Sequence, residues 1–135
     1  MRIFSEHGLL YIELPNNRKI AYVAPGINDQ GEIVYQGQNQ TTRKWERVKT
    51  WGGKITENVI QAVARDCLCE TLTALESRGF NPVMHVHDEV VCEVPQEAAV
   101  DRLKELQIIM STPPVWAPDL VLSCDGFSSN YYRKD

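Results

Sequence analysis

The sequence predicts an α+β fold, an antiparallel sheet with helices on one face. Three observations predict it. Short strand-like runs come in pairs separated by turn residues. One long stretch, Ile55 to Leu75, repeats its apolar residues at three- and four-residue steps. A second, shorter helical pattern follows the last strand pair. The element order β-β-(β)-α-β-β-α-β is that of an antiparallel sheet with segregated helices.

Each element has a local reason. Leu9-Leu10-Tyr11-Ile12-Glu13-Leu14 and Ile20-Ala21-Tyr22-Val23 flank Pro15-Asn16-Asn17-Arg18, so residues 9–24 read as a hairpin. Pro25-Gly26 is expected to end it. Residues 25–42 read as loop around one short strand, Glu32-Ile33-Val34-Tyr35. Gly52-Gly53 marks a break before the long helix, and Gly79 stops it, with Arg78 suiting the negative end of the helix dipole. Val83-Met84-His85-Val86-His87 and Val90-Val91-Cys92-Glu93-Val94 then read as two strands separated only by Asp88-Glu89, a tight hairpin. Pro95 suits the first turn of the second helix, whose stripe is Ala99, Leu103, Leu106 and Met110; Pro113-Pro114 ends it. Leu120 to Cys124 reads as a last strand and 125–135 as a polar tail. Two segments result: a hairpin-and-loop part over 1–50 and a helix–hairpin–helix part over 51–135.

The length of 135 residues suits one domain with at most a small appendage, and the composition, 43% hydrophobic and 24% charged, argues against wholesale disorder. No apolar run is long enough for a membrane helix, and the first residues show no secretory signal. Cys67, Cys69, Cys92 and Cys124 do not form a disulfide scaffold in a chain this long; they read as reduced, and a cytoplasmic location is expected. The net charge of -4 argues against a generic nucleic-acid coat. Its distribution is uneven, because residues 1–54 hold eight Lys/Arg against five Asp/Glu (+3) and residues 55–135 hold six against thirteen (-7). Arg43, Lys44, Arg47, Lys49 and Lys54 face only Glu46, a stripe suited to phosphate contact. On charge alone a solvated strand or loop face explains it equally well. Trp45 and Trp51 read as core or interface residues in preference to base-stacking ones.

The chemistry-bearing segment is Met84-His85-Val86-His87-Asp88-Glu89-Val90-Val91-Cys92-Glu93-Val94. Two adjacent carboxylates at a bend between apolar arms are hard oxygen ligands of the kind that suits Mg²⁺. Taken alone, acidic turn residues are most often merely solvated. The context shifts that balance. His87-Asp88-Glu89 between apolar arms resembles motif C of family A DNA polymerases, most closely the phage-type members. Thr50 to Asp66 resembles the family helix that precedes motif C. The resemblance covers 45–135 and implies the C-terminal half of a polymerase palm over 51–135, with 1–50 leading into it.

It further implies roles by position. Asp88 would bind the catalytic metals, Glu89 would support it, and His87 would lie by the primer terminus. Gln61 matches a residue that reads the minor groove, where correct base pairs share acceptors. Asn58 matches a neighbouring Asn, and Lys54 lies near a family basic position. By pattern alone, Gln61 and Asn58 are equally read as exposed helix positions, and Lys54 as a flank of the helix start. The implied cofactor is Mg²⁺, weakly held here, and the implied partners are primer-template DNA and dNTP. The family's other metal-binding Asp and its fingers helix with Lys and Tyr are not found; Asp29, in a loop, is the only upstream candidate. The chain alone is therefore expected to be inactive, a polymerase fragment that needs an upstream piece. An open strand edge at 83–87 or 90–94 is expected to drive homodimerisation. Two alternatives stand beside this reading. One is a non-catalytic remnant that binds DNA or assembles with a partner. The other is a zinc hydrolase built on His85-x-His87-Asp88, which would need further ligands when the only other histidine is His7.

Overall fold

A computed structural model describes residues 1–133; residues 134 and 135, the end of the expected polar tail, lie outside the described residues. The fold is α+β, as the sequence predicts, but its strands form two sheets instead of one. A five-stranded antiparallel sheet runs in chain order: β1 (Arg2–Glu6), β2 (Leu9–Glu13), β3 (Lys19–Ile27), β4 (Ile33–Gln38) and β5 (Trp45–Thr50). The long helix α1 (Gly52–Ser77) follows, then the two-stranded sheet of β6 (Asn81–Val86) and β7 (Glu89–Glu93), a 3-10 turn (Gln96–Ala98) and α2 (Ala99–Met110). The chain divides into two compact units, Met1–Val63 and the part from Ala64 on. No described helix is long and apolar enough to cross a membrane.

In the first unit the predicted 9–24 hairpin is present, with Asn17 left-handed in its loop. It belongs to a longer meander. His7 and Gly8, both left-handed, join β1 to β2 as a primed two-residue turn matches strand twist. Pro25-Gly26 does not end β3. The strand continues to Ile27 through a register shift between Val23 and Gly26, with left-handed Ala24 beside it. A bulge is where a strand tolerates a proline, because the ladder is already interrupted there. Asn28 and Asn39 build the next two turns: their side-chain oxygens accept backbone N–H groups of Gln30 and Glu32, and of Thr41 and Thr42. The basic stripe, open in sequence between a strand and a loop face, is a strand, β5; the register of its ladder with β4 runs from Ile33–Thr50 to Gln38–Trp45.

Alternation sorts the sheet into two faces. One carries Leu10, Ile12, Tyr22, Tyr35, Val48 and Thr50. Ile12, Tyr22 and Thr50 are buried, and Tyr22 meets Tyr35 edge-on at 5.1 Å. Asn58 of α1 donates to the Tyr22 hydroxyl at 3.0 Å, so the first half of the helix covers this face. The other face carries Phe4, Tyr11, Lys19, Trp45, Arg47 and Lys49 and is largely open.

The second unit closes on Leu75, Phe80 and Ile109, with Ala74, Val90, Cys92, Val94 and Leu106 packed against them. Its geometry starts at the end of α1. Gly79 is left-handed; its N–H bonds the Glu76 carbonyl at 3.0 Å, and that of Phe80 bonds the Leu75 carbonyl at 3.0 Å. This is the Schellman closure, completed by contact between Phe80 and Leu75. The sequence placed Arg78 at the negative helix end. In the structure α1 stops at Ser77, and it is Arg102 of α2 that reaches the Arg78 carbonyl, at 3.4 Å, while its guanidinium lies 3.6 Å from the Phe80 ring centroid. Gly52-Gly53 is likewise the first turn of α1 and not a break before it. The expected stripe of α2 is half-buried, but its most buried member is Ile109, which the sequence reading passed over.

Leu120–Cys124 is not a strand. Among the described residues it has no ladder partner, and an extended segment without one has no backbone hydrogen bonds to hold it as a strand. Trp45 and Trp51 are not core residues; they are 66% and 63% exposed.

A Cβ on Gly79 would meet nothing within 4 Å, so replacing it isolates the backbone term. Gly79→Ala is expected to lower unfolding stability by about 1–2 kcal/mol through left-handed strain alone. Urea titration should show a shifted midpoint and an unchanged slope.

Candidate functional site

β6 and β7 pair from Asn81–Glu93 to Val86–Glu89, with a register shift between Pro82 and Met84. The two-residue turn is therefore His87-Asp88, one residue earlier than the Asp88-Glu89 expected from the sequence. The backbone at residue 87 accommodates this register. His87 is left-handed, with φ 55, as the first residue of a primed hairpin turn must be. Histidine is among the few non-glycine types enriched in that region.

One residue of register changes what each carboxylate does. Asp88 sits exposed at the tip, free of the ladder. Glu89 opens β7 and is half-buried. Along β7, Val90, Cys92 and Val94 pack on the core of Leu75, Phe80 and Ile109. Period-two alternation therefore turns Glu89 and Val91, with Val86 and Met84 opposite them, to the hairpin face away from that core. His85, opposite Val90, belongs to the other face from Glu89. Both carboxylates are thus held by a hairpin anchored at its far end, and neither is consumed by packing.

Among the described residues, no three of His, Cys, Asp and Glu come together as a metal-binding group. The hairpin offers two hard oxygen donors from adjacent residues. That set fits Mg²⁺ as a partial site, since this ion is commonly held by one or two carboxylates plus substrate phosphates and water.

The remaining expected site residues lie in the first unit, on α1. Lys54, Asn58 and Gln61 are spaced to share one helix face. Lys54 pairs with Glu57 at 3.0 Å, and Gln61 donates to the same Glu57 at 3.1 Å. Gln61 is exposed; Asn58 is half-buried, its amide group given to Tyr22. Asp29 lies in the β3–β4 turn and is exposed.

All four cysteines are free. Burial pushes the thiols of Cys67, Cys92 and Cys124 above their ordinary range, so these stay protonated and poorly nucleophilic. Two features of the neighbourhood escaped the sequence reading: the left-handed His87, which admits the register, and Arg102, which ties α2 to the end of α1. The first has only the weak signal that His tolerates positive φ. The second has none local in sequence.

The chain is similar to a protein of Bacillus phage SP02 named "DNA polymerase", 42% identical over an alignment that covers 96% of this chain and 20% of the phage protein. The chain thus spans about a fifth of the curated relative it matches. No family model matches it, and no solved structure matches it.

His87 offers a test of the hairpin register separate from any chemistry. His87→Val, a β-branched residue at positive φ, should cost about 1–2 kcal/mol of stability. His87→Gly should cost little or nothing. Urea unfolding of both variants checks this; equal losses would mean that the turn does not hold residue 87 left-handed.

Proposed function

We propose that this chain is the part of a family A DNA polymerase that carries one half of its magnesium site. The observation that carries the reading is the placement of Asp88 and Glu89. They stand at the tip and on the outward face of a core-anchored hairpin, in a chain 42% identical to a protein named DNA polymerase. The family resemblance of His87-Asp88-Glu89 and of the 50–66 segment supports the finer assignment.

In this reading Asp88 would hold Mg²⁺ and Glu89 would support it. When bound, the ion stabilises charge on the attacking and leaving oxygens of phosphoryl transfer. The chain's own contribution is positional. The hairpin fixes the tip, because β7 is packed on Leu75, Phe80 and Ile109. His87 is set beside Asp88 by the same turn and would lie against the primer end. Gln61, exposed on α1, would donate to the minor-groove acceptors that all correct pairs share, which suits copying without sequence preference. Lys54 would contact DNA after leaving Glu57, an exchange that costs little for an exposed pair. Asn58 would act with its amide group already fixed by Tyr22. The partners are primer-template DNA, dNTP and a polymerase portion that supplies the second metal-binding Asp and the fingers helix.

The direct experiment is replacement of the matched fifth of the phage SP02 polymerase by this chain, followed by primer extension with Mg²⁺. Extension is expected from the chimera and not from the chain alone. Asp88→Asn in the chimera should reduce it by about a hundredfold or more, the scale of losing a key electrostatic group. An active chimera indifferent to Asp88 would sink the assignment.

The two-stranded sheet leaves the outer edges of β6 and β7 without a ladder partner among the described residues. In the isolated chain those edges would pair with a second copy as a homodimer. Sedimentation should show a concentration-dependent dimer, and His85→Pro on β6, where alternation turns the N–H away from β7, should shift the distribution to monomer; a strict monomer at high concentration would overturn the dimer.

A further inference from the structure

The basic stripe of the sequence is not absorbed by the hairpin site. The structure puts it on the open face of the five-stranded sheet, in the first unit. Trp45, Arg47 and Lys49 alternate outward along β5, away from Tyr22 and Asn58. Register sets Phe4 opposite Tyr11 and Tyr11 opposite Ala21, and across β4 it sets Gln38 opposite Trp45. Ala21 and Gln38 each lie two residues from the paired Val23 and Gln36. One row therefore crosses all five strands, with aromatics at both ends and short or flexible side chains between. At about 4.8 Å per strand it spans roughly 19 Å.

Cations flank this row. The Lys19 ammonium lies 5.2 Å from the Phe4 ring centroid and 5.8 Å from that of Tyr11, and the Arg2 guanidinium lies 5.4 Å from Phe4. The Arg47 guanidinium lies over Gly26: a Cβ there would come within 3.2 Å of its Nη2. The glycine thus leaves room for Arg47 to lie across the sheet. Arg43 and Lys44 extend the stripe from the β4–β5 turn, both exposed. The acids on this side are Glu6, Glu13 and Glu32. Glu6 lies 3.7 Å from His7, Glu13 is paired with Arg2 at 3.6 Å, and Glu32 with Lys49 at 2.6 Å. Lys49 holds Glu32 below the usual carboxylate range, so its charge is already engaged. Glu46 points to the other face, bonded to Asn39. A surface with surplus positive charge thus sits in a chain of net charge -4.

We propose that this face binds a single-stranded polynucleotide: Lys19, Arg43, Lys44 and Arg47 take its phosphates, and a base stacks on Trp45. The 66%-exposed indole decides the class of partner. Duplex DNA buries the π-faces that an aromatic needs, and an acidic peptide would engage the cations but leave the indole without a partner. Single strands expose both phosphate and base face, and flat aromatic sheets with cationic borders suit them. The proposal goes beyond the polymerase reading and does not rest on it, because Asp88, Glu89 and Gln61 take no part.

The test is fluorescence anisotropy of labelled oligo(dT), oligo(U) and a blunt duplex, titrated with the 135-residue chain at low ionic strength. Oligo(dT) or oligo(U) should bind, the pair telling DNA from RNA, and both the duplex and polyglutamate as competitor should be clearly weaker. Trp45→Ala should weaken binding about fivefold or more, with Trp45→Phe retaining most of it. Arg47→Ala should lower the salt slope by about 0.7. Lys104→Ala, on the exposed side of α2, should change nothing. Thermal melts establish that each variant is folded. No binding of either single strand, equal binding of duplex, equal competition by polyglutamate, or indifference to both Trp45→Ala and Arg47→Ala would each overturn the proposal. Failure of the SP02 chimera to extend primers would not touch it.

Discussion

The second unit depends on how α1 ends. Gly79 goes left-handed, the Phe80 N–H returns to the Leu75 carbonyl, and the chain enters β6 at once. Phe80 is thereby placed on Leu75, and the same two side chains receive Val90, Cys92 and Val94 from β7 and Ile109 from α2. A two-stranded hairpin is marginal by itself in water. Here it is held because one face is committed to that core. Commitment of one face leaves the other free, and period-two alternation then makes Glu89 an outward residue without further instruction. Arg102 strengthens the closure twice, over the Phe80 ring and at the Arg78 carbonyl, while Glu105 at 2.8 Å balances its charge.

What could be read in the sequence follows from which interactions are local. The long helix, its glycine stop and the 9–24 hairpin rest on periodicity and turn chemistry within a few residues, and the structure has all three. β5 was legible only as charge. Its residues Trp45-Glu46-Arg47-Val48-Lys49-Thr50 do alternate, but the outward set is aromatic and cationic and the inward set includes Glu46. Such a strand lacks the apolar alternation by which strands are recognised. β1 has the same difficulty as an edge strand, exposed at four of its five positions. Leu120–Cys124 fails the other way. Its composition suits a strand, but β structure needs a partner that composition cannot supply.

The site was legible as a segment but not in its register. Apolar arms around His87-Asp88-Glu89 announce a hairpin, yet the location of its bend turns on which residue accepts positive φ. Asp is as good a candidate as His by type. Long-range packing of Val90 and Cys92 on Phe80 decides, since a one-residue slip would carry Glu89 and Val91 to the core face. The identity of the candidate residues came from residue types. Their geometry came from a phenylalanine and a leucine outside the motif.

Charge constrains what either surface can do. The hairpin lies in the acidic part of the chain, where residues 55–135 hold thirteen acids against six bases. Two of those acids, Asp88 at its tip and Glu89 at the start of β7, repel a phosphate backbone unless a cation stands between them. A divalent ion, in the proposed reading, would resolve that conflict, and no rearrangement of these side chains does. The proposed single-strand face of the first unit would meet a polyanion in the opposite way. Of its acids, Glu13, Glu32 and Glu46 are engaged with Arg2, Lys49 and Asn39, and Lys19, Arg43, Lys44 and Arg47 remain available at the surface. Attraction through side-chain cations weakens as salt displaces it. Attraction through a coordinated ion is governed instead by the ion's own concentration. The two surfaces therefore answer to different solution variables, so salt and Mg²⁺ can be varied separately to tell which one holds a nucleic acid.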